Sequence, residues 1–482
     1  MKIGKHNLNR KTDYLWEIPK TFHKNMRVPA RIFAQEAILD DIIGDRSLVQ
    51  LVNVANLPGI QGASMVMPDV HEGYGFPIGG VAATLHPTGA ISPGGIGYDI
   101  NCGVRLLTSS VALDEVKDKI EELSKEMYAQ IPSGMGKGGF IKLSPKEMDE
   151  VLTQGAEWAV NRGYGTLRDL SFMESNGRLA DADASKVSEM AKKRGLDQLG
   201  TIGSGNHFVE VDYVDEIYEQ EVAEAFNIKK GNLVVLIHTG SRGLGHQIAT
   251  DYIKIMMNAM EKYDIKVPDR ELSCVPFDSL EGQNYYKAMC AAANYAWCNR
   301  QIITWEARKA WKNIFGDKQG TLDLMYDVAH NMAKIESHEV DGIKQNVIVH
   351  RKGATRAFGP GFSELPKSYN DLGQPVIIPG SMGTSSYVLI GTPKSHELTF
   401  GSCCHGAGRR LSRTAAKKQV NAPVLKEQLK ESGIYVQAGS FKGIAEEAPI
   451  AYKDVNLVVD TVCASGIVKK VAKIKPIAVV KG

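Results

Sequence analysis

A chain of 482 residues with 43% apolar content can bury a sizeable core, and a net charge of +2 excludes a polybasic, histone-like protein, so any nucleic-acid site has to be a local patch. Seven cysteines, an odd number without CxxC spacing, read as reduced thiols in the cytosol rather than as a disulfide framework. The opening stretch MKIGKHNLNRKTDYLW has no apolar signal segment, and no later run approaches the roughly 18 apolar residues of a membrane span, so no membrane association is expected.

Glycine-rich loops and short β-branched runs dominate both ends of the chain, whereas residues 113–195 read as helical. In GGIGYDINCGVR, Asp99 and Cys102 stand three apart in a segment whose backbone can approach a ligand closely. Taken alone, such a pair is a turn aspartate and a buried thiol. Leu113, Val116, Ile120, Leu123 and Met127 then recur at helical spacing. The string SPKE opens a further helix, with Ser144 as cap, Pro145 in the first turn and Glu147 completing a capping box. GMGKGG, Gly134 to Gly139, matches GxGxxG but follows a helical segment and lacks the strand and downstream acid of a dinucleotide turn.

Further on, GSGNHFVE carries His207, and NLVVLIHTGSRGLGHQ reads as a buried strand ending in His238 and a glycine loop. Helical patterns follow from Asp251 to about Met260 and from Tyr285 to Trp311, and His330 in YDVAHN falls at the end of a helical pattern. QNVIVHRKGATR and QPVIIPGSMGTSS repeat the strand followed by a polar loop, the place where α/β sites form. With no fixed-period repeat, low-complexity tract or Pro/Ser linker, one interleaved α/β body over residues 1–482 is expected.

Three histidines at element ends (His207, His238, His330), with a carboxylate and a thiol, suit borderline divalent metals, although only the fold can bring them together. His6, His23, His86, His246, His338 and His396 read as ordinary core or surface residues. No P-loop is present, and EVDG, Glu339 to Gly342, has glutamate where a KxDG nucleotidyl ligase needs its lysine. In SCCHGAGRRLSR, His405 precedes small residues at the start of a helix-like pattern, where free N–H groups suit phosphate. Neutral imidazole is a competent nucleophile toward phosphorus, and a loop histidine capping a helix is the equally available reading of this stretch alone.

Taken together and in this order, SPGGIGYDINCGVR, GSGNHFVE, HTGSRGLGHQ, YDVAHN, HRKGATRAF, PGSMGT and HGAGR resemble the RtcB family of GTP-dependent RNA ligases over nearly the whole chain. The resemblance implies a single α/β body with mixed sheets around a central dinuclear metal and GTP site. It implies a ligase joining an RNA 3′-phosphate or 2′,3′-cyclic phosphate to a 5′-hydroxyl in tRNA splicing or RNA repair, a monomer with archease as a possible activator. Under it, His405 is the residue that holds GMP, and Cys102 is the thiolate shared by two Mn²⁺ ions, with Asp99 and His207 on the first and His238 and His330 on the second. GTP contacts carried over are Asn206, His207, Phe208, Val209, Glu210, His330, Asn331, Pro379, Gly380, Ser381, Met382, Ser386, His405, Gly406, Ala407, Gly408 and Lys481. Arg242, Arg409, Arg410 and Arg413 are expected on RNA phosphates, because arginine forks suit phosphate oxygens.

PDVHEGYGFP departs from the family's PDGHQGYGFP at Val70 and Glu72, and Cys403 and Cys404 carry no role beyond packing. Two other classes use some of these residues. A metallo-phosphoesterase opening cyclic phosphates gives His405 no covalent role, and a noncatalytic RNA-binding protein makes Arg409, Arg410, Arg413, Lys417 and Lys418 a basic face. Dependence on GTP separates the ligase from the first, and neither class explains the metal set and the histidine together.

Overall fold

The structure, a computed structural model, describes residues 2–134, 136–317 and 320–482; Met135, inside the GMGKGG stretch, lies outside them. One sheet has seven strands in the order Asn9–Arg10, Leu15–Ile18, Ala30–Phe33, Ile60–His71, Ile78–Leu85, Ile343–Lys352 and Asn331–Val340. The other runs Asp323–Ala329, Gly103–Ala112, Asn232–Thr239, Phe208–Ile217, Val468–Lys481, Ser386–Gly391 and Pro375–Ile378, with Tyr435–Ala438 added in parallel beside Val468–Lys481. Both are mixtures of helix-covered, mostly antiparallel strands, and the α/β class with mixed sheets holds.

Strand Asn232–Thr239 shows why its sequence is a continuous apolar run. Leu233, Val235 and Ile237 join one apolar core while Val234 and Leu236 join another, so both faces of the sheet are buried and no polar alternation survives. A long helix, Leu280–Phe315, packs on this strand, capped by Ser279, whose side chain accepts from the Gly282 N–H. It is rich in alanine and presents Asn294, Asn299 and Arg300 to the interior, all fully buried.

The segment 113–195 is helical in pieces, among them Ile120–Gln130, Pro145–Gln154 and Glu189–Gly195. The capping box at Ser144 and Glu147 is present as read, with Pro145 in the first turn. Four readings change. The helix expected from Asp251 begins at Arg242 and ends at Ala259, because Gly243 and Gly245 belong to a closely packed first turn and not to a loop; a Cβ on Gly245 would meet Ser241 Oγ at 1.9 Å. The helix read from Tyr285 extends to Leu280–Phe315. His330 ends no helix: it joins strand Asp323–Ala329 to strand Asn331–Val340, and the two-sided burial of LMYDVA hides its strand period. The run after His405 is a loop as far as Ser412, which caps helix Arg413–Gln419 by accepting from Ala415 N–H. EVDG is a tight hairpin turn, with positive φ at Asp341 (51°) and Gly342 (79°) as a two-residue turn of this hand requires.

Candidate active site where the two sheets meet

Strand register gathers the site. In the larger sheet Gly103 pairs with both Ala329 and Thr239, and Phe208 pairs with both His238 and Lys481. One sheet end therefore presents Cys102, His330, His238, His207 and Lys481, which lie far apart in sequence. At His330 the chain leaves this sheet and enters the other, where Asn331 pairs with Lys352. The His330 N–H donates to the Cys102 carbonyl at 2.9 Å, and its own carbonyl accepts from Ala354 N–H at 3.1 Å, which fixes the crossover.

Cys102 Sγ lies 3.4 Å from His207 Nε2 and 3.3 Å from His238 Nε2, and His238 Nε2 lies 3.3 Å from His330 Nε2. Asp99 Oδ2 is 2.8 Å from His207 Nε2. The donors fall into two groups that share one thiol, Asp99–Cys102–His207 and Cys102–His238–His330. Burial pushes the Cys102 thiol well above its ordinary value and the Asp99 charge pushes it further, while burial keeps His238 and His330 neutral. Burial opposes the ionised Asp99, but His207 holds it below the usual carboxylate range. Nδ1 of His238 and of His330 has no partner among the described residues. A buried thiol, three ring nitrogens converging on it and a carboxylate fit a pair of divalent cations, whose charge would let the thiol ionise. This donor set suits borderline divalent ions as a class and does not single out manganese.

Behind the donors, Arg300 is wholly buried. It donates to Asp327 through Nε (2.8 Å) and Nη2 (2.9 Å), and through Nη1 to the carbonyls of Asn101 (2.8 Å) and Thr239 (2.9 Å). Arg105 adds a 2.7 Å bond to the same aspartate. Although burial opposes it, the two guanidinium groups hold Asp327 below the usual carboxylate range. This buried lattice ties together the strand ends that carry Cys102, His238 and His330.

Asp99, Cys102, His238 and His330 open into a cavity of about 770 Å³, within the size range of small-molecule sites, whose lining does not include His207. Its opposite wall holds His405, immediately after the short strand Ser402–Cys404. Asp69 Oδ2 accepts from His405 Nδ1 at 2.6 Å and from the His405 backbone N–H at 3.0 Å. The ring lies edge-on to His330, centroids 4.8 Å apart. In the tautomer that donates Nδ1–H to Asp69, Nε2 is the ring atom left with a lone pair. Space is tight on this side: a Cβ on Gly408, which has φ +74°, would meet the Asp69 carbonyl at 2.1 Å.

Asn206, Phe208, Glu210, Asn331, Pro379, Gly380, Ser381, Met382, Gly406, Ala407, Gly408 and Lys481 line the same cavity, as do Asp99, Cys102, His238, His330 and His405. Lys481 belongs to an interior strand, its ammonium 5.5 Å from the Phe208 ring; burial lowers its pKa against the pull of Glu447 and Glu210. Burial and the nearby Asp212 carboxylate push Glu210 well above the usual carboxylate range. Val209 turns away into the core behind Phe208 and Glu210, as strand alternation demands, and the lining does not include it. Ser386 stands behind the lining, its Oγ accepting from Gly380 N–H at 2.9 Å.

Arg409, Arg410 and Arg413 line the cavity; Arg409 and Arg413 share the buried Glu447, and Arg410 reaches Asp41 across 3.4 Å. Arg242 lies outside the lining, donating to Thr201 Oγ1 (3.0 Å) and Gln198 Oε1 (3.1 Å). Reading motifs missed Asp69 and Glu447, although PDVHEGYGFP contains the first. Of the two departures in that block, Val70 is buried and Glu72 stands at the cavity, paired with Arg46 at 2.9 Å. Cys403 and Cys404 are buried in the core, their sulfurs 3.8 Å apart. Among the described residues no helix is long and apolar enough to cross a membrane.

Comparison with known proteins agrees with the geometry. The family model described as tRNA-splicing ligase RtcB matches residues 50–482. A Thermococcus kodakarensis protein of the same description is 54% identical over 97% of each chain. Proteins so described from Archaeoglobus fulgidus and Methanococcus maripaludis are 52% and 51% identical, over 98% and 99% of this chain and 99% and 100% of theirs. A family model over residues 50–482 and relatives at this identity along nearly the full length show that the chain belongs to the RtcB family.

Proposed function

We propose that this protein is a GTP-dependent RNA ligase that joins RNA 3′-phosphate or 2′,3′-cyclic phosphate ends to 5′-hydroxyl ends, in tRNA splicing or RNA repair. The observation that carries the reading is His405, its Nδ1 held by Asp69 and its Nε2 free in a cavity shared with both donor groups. The relatives' description as tRNA-splicing ligases supports the substrate class.

Cys102, Asp99, His207, His238 and His330 would hold two divalent ions, Mn²⁺ by resemblance, which supply positive charge beside the reacting phosphates. Asp69 keeps His405 in the tautomer that can attack and stabilises the positive charge the ring acquires. His405 Nε2 forms a bond to the α-phosphorus of GTP as the bond to pyrophosphate breaks. The GMP then passes to an RNA 3′-phosphate oxygen, breaking the N–P bond and freeing the imidazole. The 5′-hydroxyl attacks the activated phosphate, loses its proton and displaces GMP. A cyclic phosphate is first hydrolysed to the 3′-phosphate. Asn206, Phe208, Glu210, the Pro379–Met382 turn and Lys481 are assigned to the nucleotide, with Ser386 shaping that turn.

Protein incubated with Mn²⁺ and α-labelled GTP is expected to retain label that acid releases and mild alkali does not, the behaviour of a phosphoramidate; γ-labelled GTP leaves nothing bound. His405→Ala loses the label yet joins RNA supplied with a preformed guanylylated 3′ end. Persistent α-label in His405→Ala assigns the covalent chemistry elsewhere.

A further inference from the structure

On the Asp99 side of the cavity the rim carries an aromatic step. Tyr74 and Tyr98, both partly exposed, line the cavity with ring centroids 5.5 Å apart at 62°. His246, exposed on helix Arg242–Ala259, stacks on Tyr98 at 5.9 Å and 28°. The step is held in place. Lys352 Nζ donates to the carbonyls of Tyr74 (2.5 Å) and Phe76 (3.1 Å), and Gly75 N–H donates to Glu271 Oε2 at 3.0 Å. Tyr98 directly precedes the donor Asp99, so a group resting on the step borders the reacting centre.

Charge is distributed unevenly along it. Glu72, Asp269 and Glu271 gather around Arg46 on the Tyr74 side. On the His246 side stands exposed Arg194, whose Nη1 donates to Gln247 Oε1 at 3.0 Å, with Arg242 nearby. An anionic backbone is turned away from the acidic side and toward these arginines. Aromatic rings at the rim of a cavity suit any nucleobase, since every base has a π-face.

We propose that Tyr74, Tyr98 and His246 form a stacking step for the terminal nucleobase of an RNA end, its phosphates on the Arg194 side; this rests on the RNA-ligase reading above. The step makes end recognition tolerant of base identity while fixing the last nucleotide against the reacting centre.

The test is a binding cycle measured by fluorescence anisotropy, in Mn²⁺ and without GTP. The probes are single-stranded decamers ending in a 3′-phosphate or a 5′-hydroxyl, each with an intact or an abasic terminal nucleotide, and the proteins are the parent, Tyr98→Ala, Tyr74→Ala and Tyr98→Phe. Removing the terminal base at one end is expected to weaken binding to the parent by roughly tenfold to a hundredfold. Tyr98→Ala weakens the intact RNA by a similar factor and then makes the base irrelevant, to within about twofold. Tyr98→Phe retains the base effect, and the probe that responds tells whether the 3′ or the 5′ end rests on the step. A base effect that is absent in the parent, or equally large in parent, Tyr98→Ala and Tyr74→Ala, overturns the proposal. The reading beneath it fails separately, if RNA binds with the expected base effect but the parent joins no ends in GTP and Mn²⁺.

Discussion

The two walls of the cavity are built differently. The donor wall rises from paired strand ends and is backed by Arg300, Asp327 and Arg105, all without solvent exposure. The His405 wall is a loop held by two buried carboxylates, Asp69 and Glu447, and by arginines of which two remain partly wet: the Arg413 and Arg410 side chains are 53% and 62% exposed. Fixed donors need a rigid frame, because a displacement of a few tenths of an ångström changes what they can bind. A nucleophile that gains and loses a nucleotide in each cycle needs orientation at one atom and room around it. The contrast predicts that damage to the first wall costs binding and stability, while damage to the second costs rate.

The sharpest break is Cys102→Ala. It is expected to remove both donor groups, abolishing metal retention on dialysis and covalent labelling by GTP, while the protein still unfolds cooperatively because the cost falls on the site. Near-normal labelling would reject the shared thiol. Next, Arg300→Met leaves Asp327 with one partner and two carbonyls unmatched. A stability loss of about 3–5 kcal/mol is expected in denaturant unfolding, with metal lost at lower denaturant than in the parent. If stability holds, the donor wall is not framed as described.

Asp69→Asn tests the second wall. The amide can keep one hydrogen bond but cannot hold the Nδ1–H tautomer or balance the charge on the attacking ring. Labelling of His405 is expected to slow by roughly 10–100-fold, the usual cost of removing an orienting partner, with metal content unchanged. A loss of metal as well would erase the distinction between the walls. The smallest effect belongs to Arg410→Gln, whose side chain is the most exposed of the three arginines that line this wall. One lost phosphate contact lowers the slope of log affinity against log salt by about 0.7 for single-stranded RNA, and an unchanged slope moves the RNA off this loop.

How far sequence alone reached follows the same division. The donors were legible because cysteine, histidine and aspartate in glycine-rich blocks have few other joint uses, and because the family resemblance covers each block. The capping box at Ser144 was legible because it is local. Asp69 was not, since its bond to His405 spans 336 positions in sequence and no spacing rule reaches so far. His330 was misplaced for another reason: a strand buried on both faces has no alternation, so its period cannot be told from that of a buried helix. Val209 is the opposite case, where period 2 already separates it from Phe208 and Glu210. The loop after His405 was read as helix because small residues open helices and loops alike. Only Ser412, seven residues on, is placed to cap.

The crossover at His330 has a mechanical consequence. Because that residue is the last of one sheet and the neighbour of the first in the other, its own group, Cys102–His238–His330, lies at the joint between the two sheets. Contacts of 3.3 Å amplify small shifts of whole layers. A repacking that shifts this joint, even far from any substrate, is therefore expected to alter ion affinity at the centre before the molecule loses its shape.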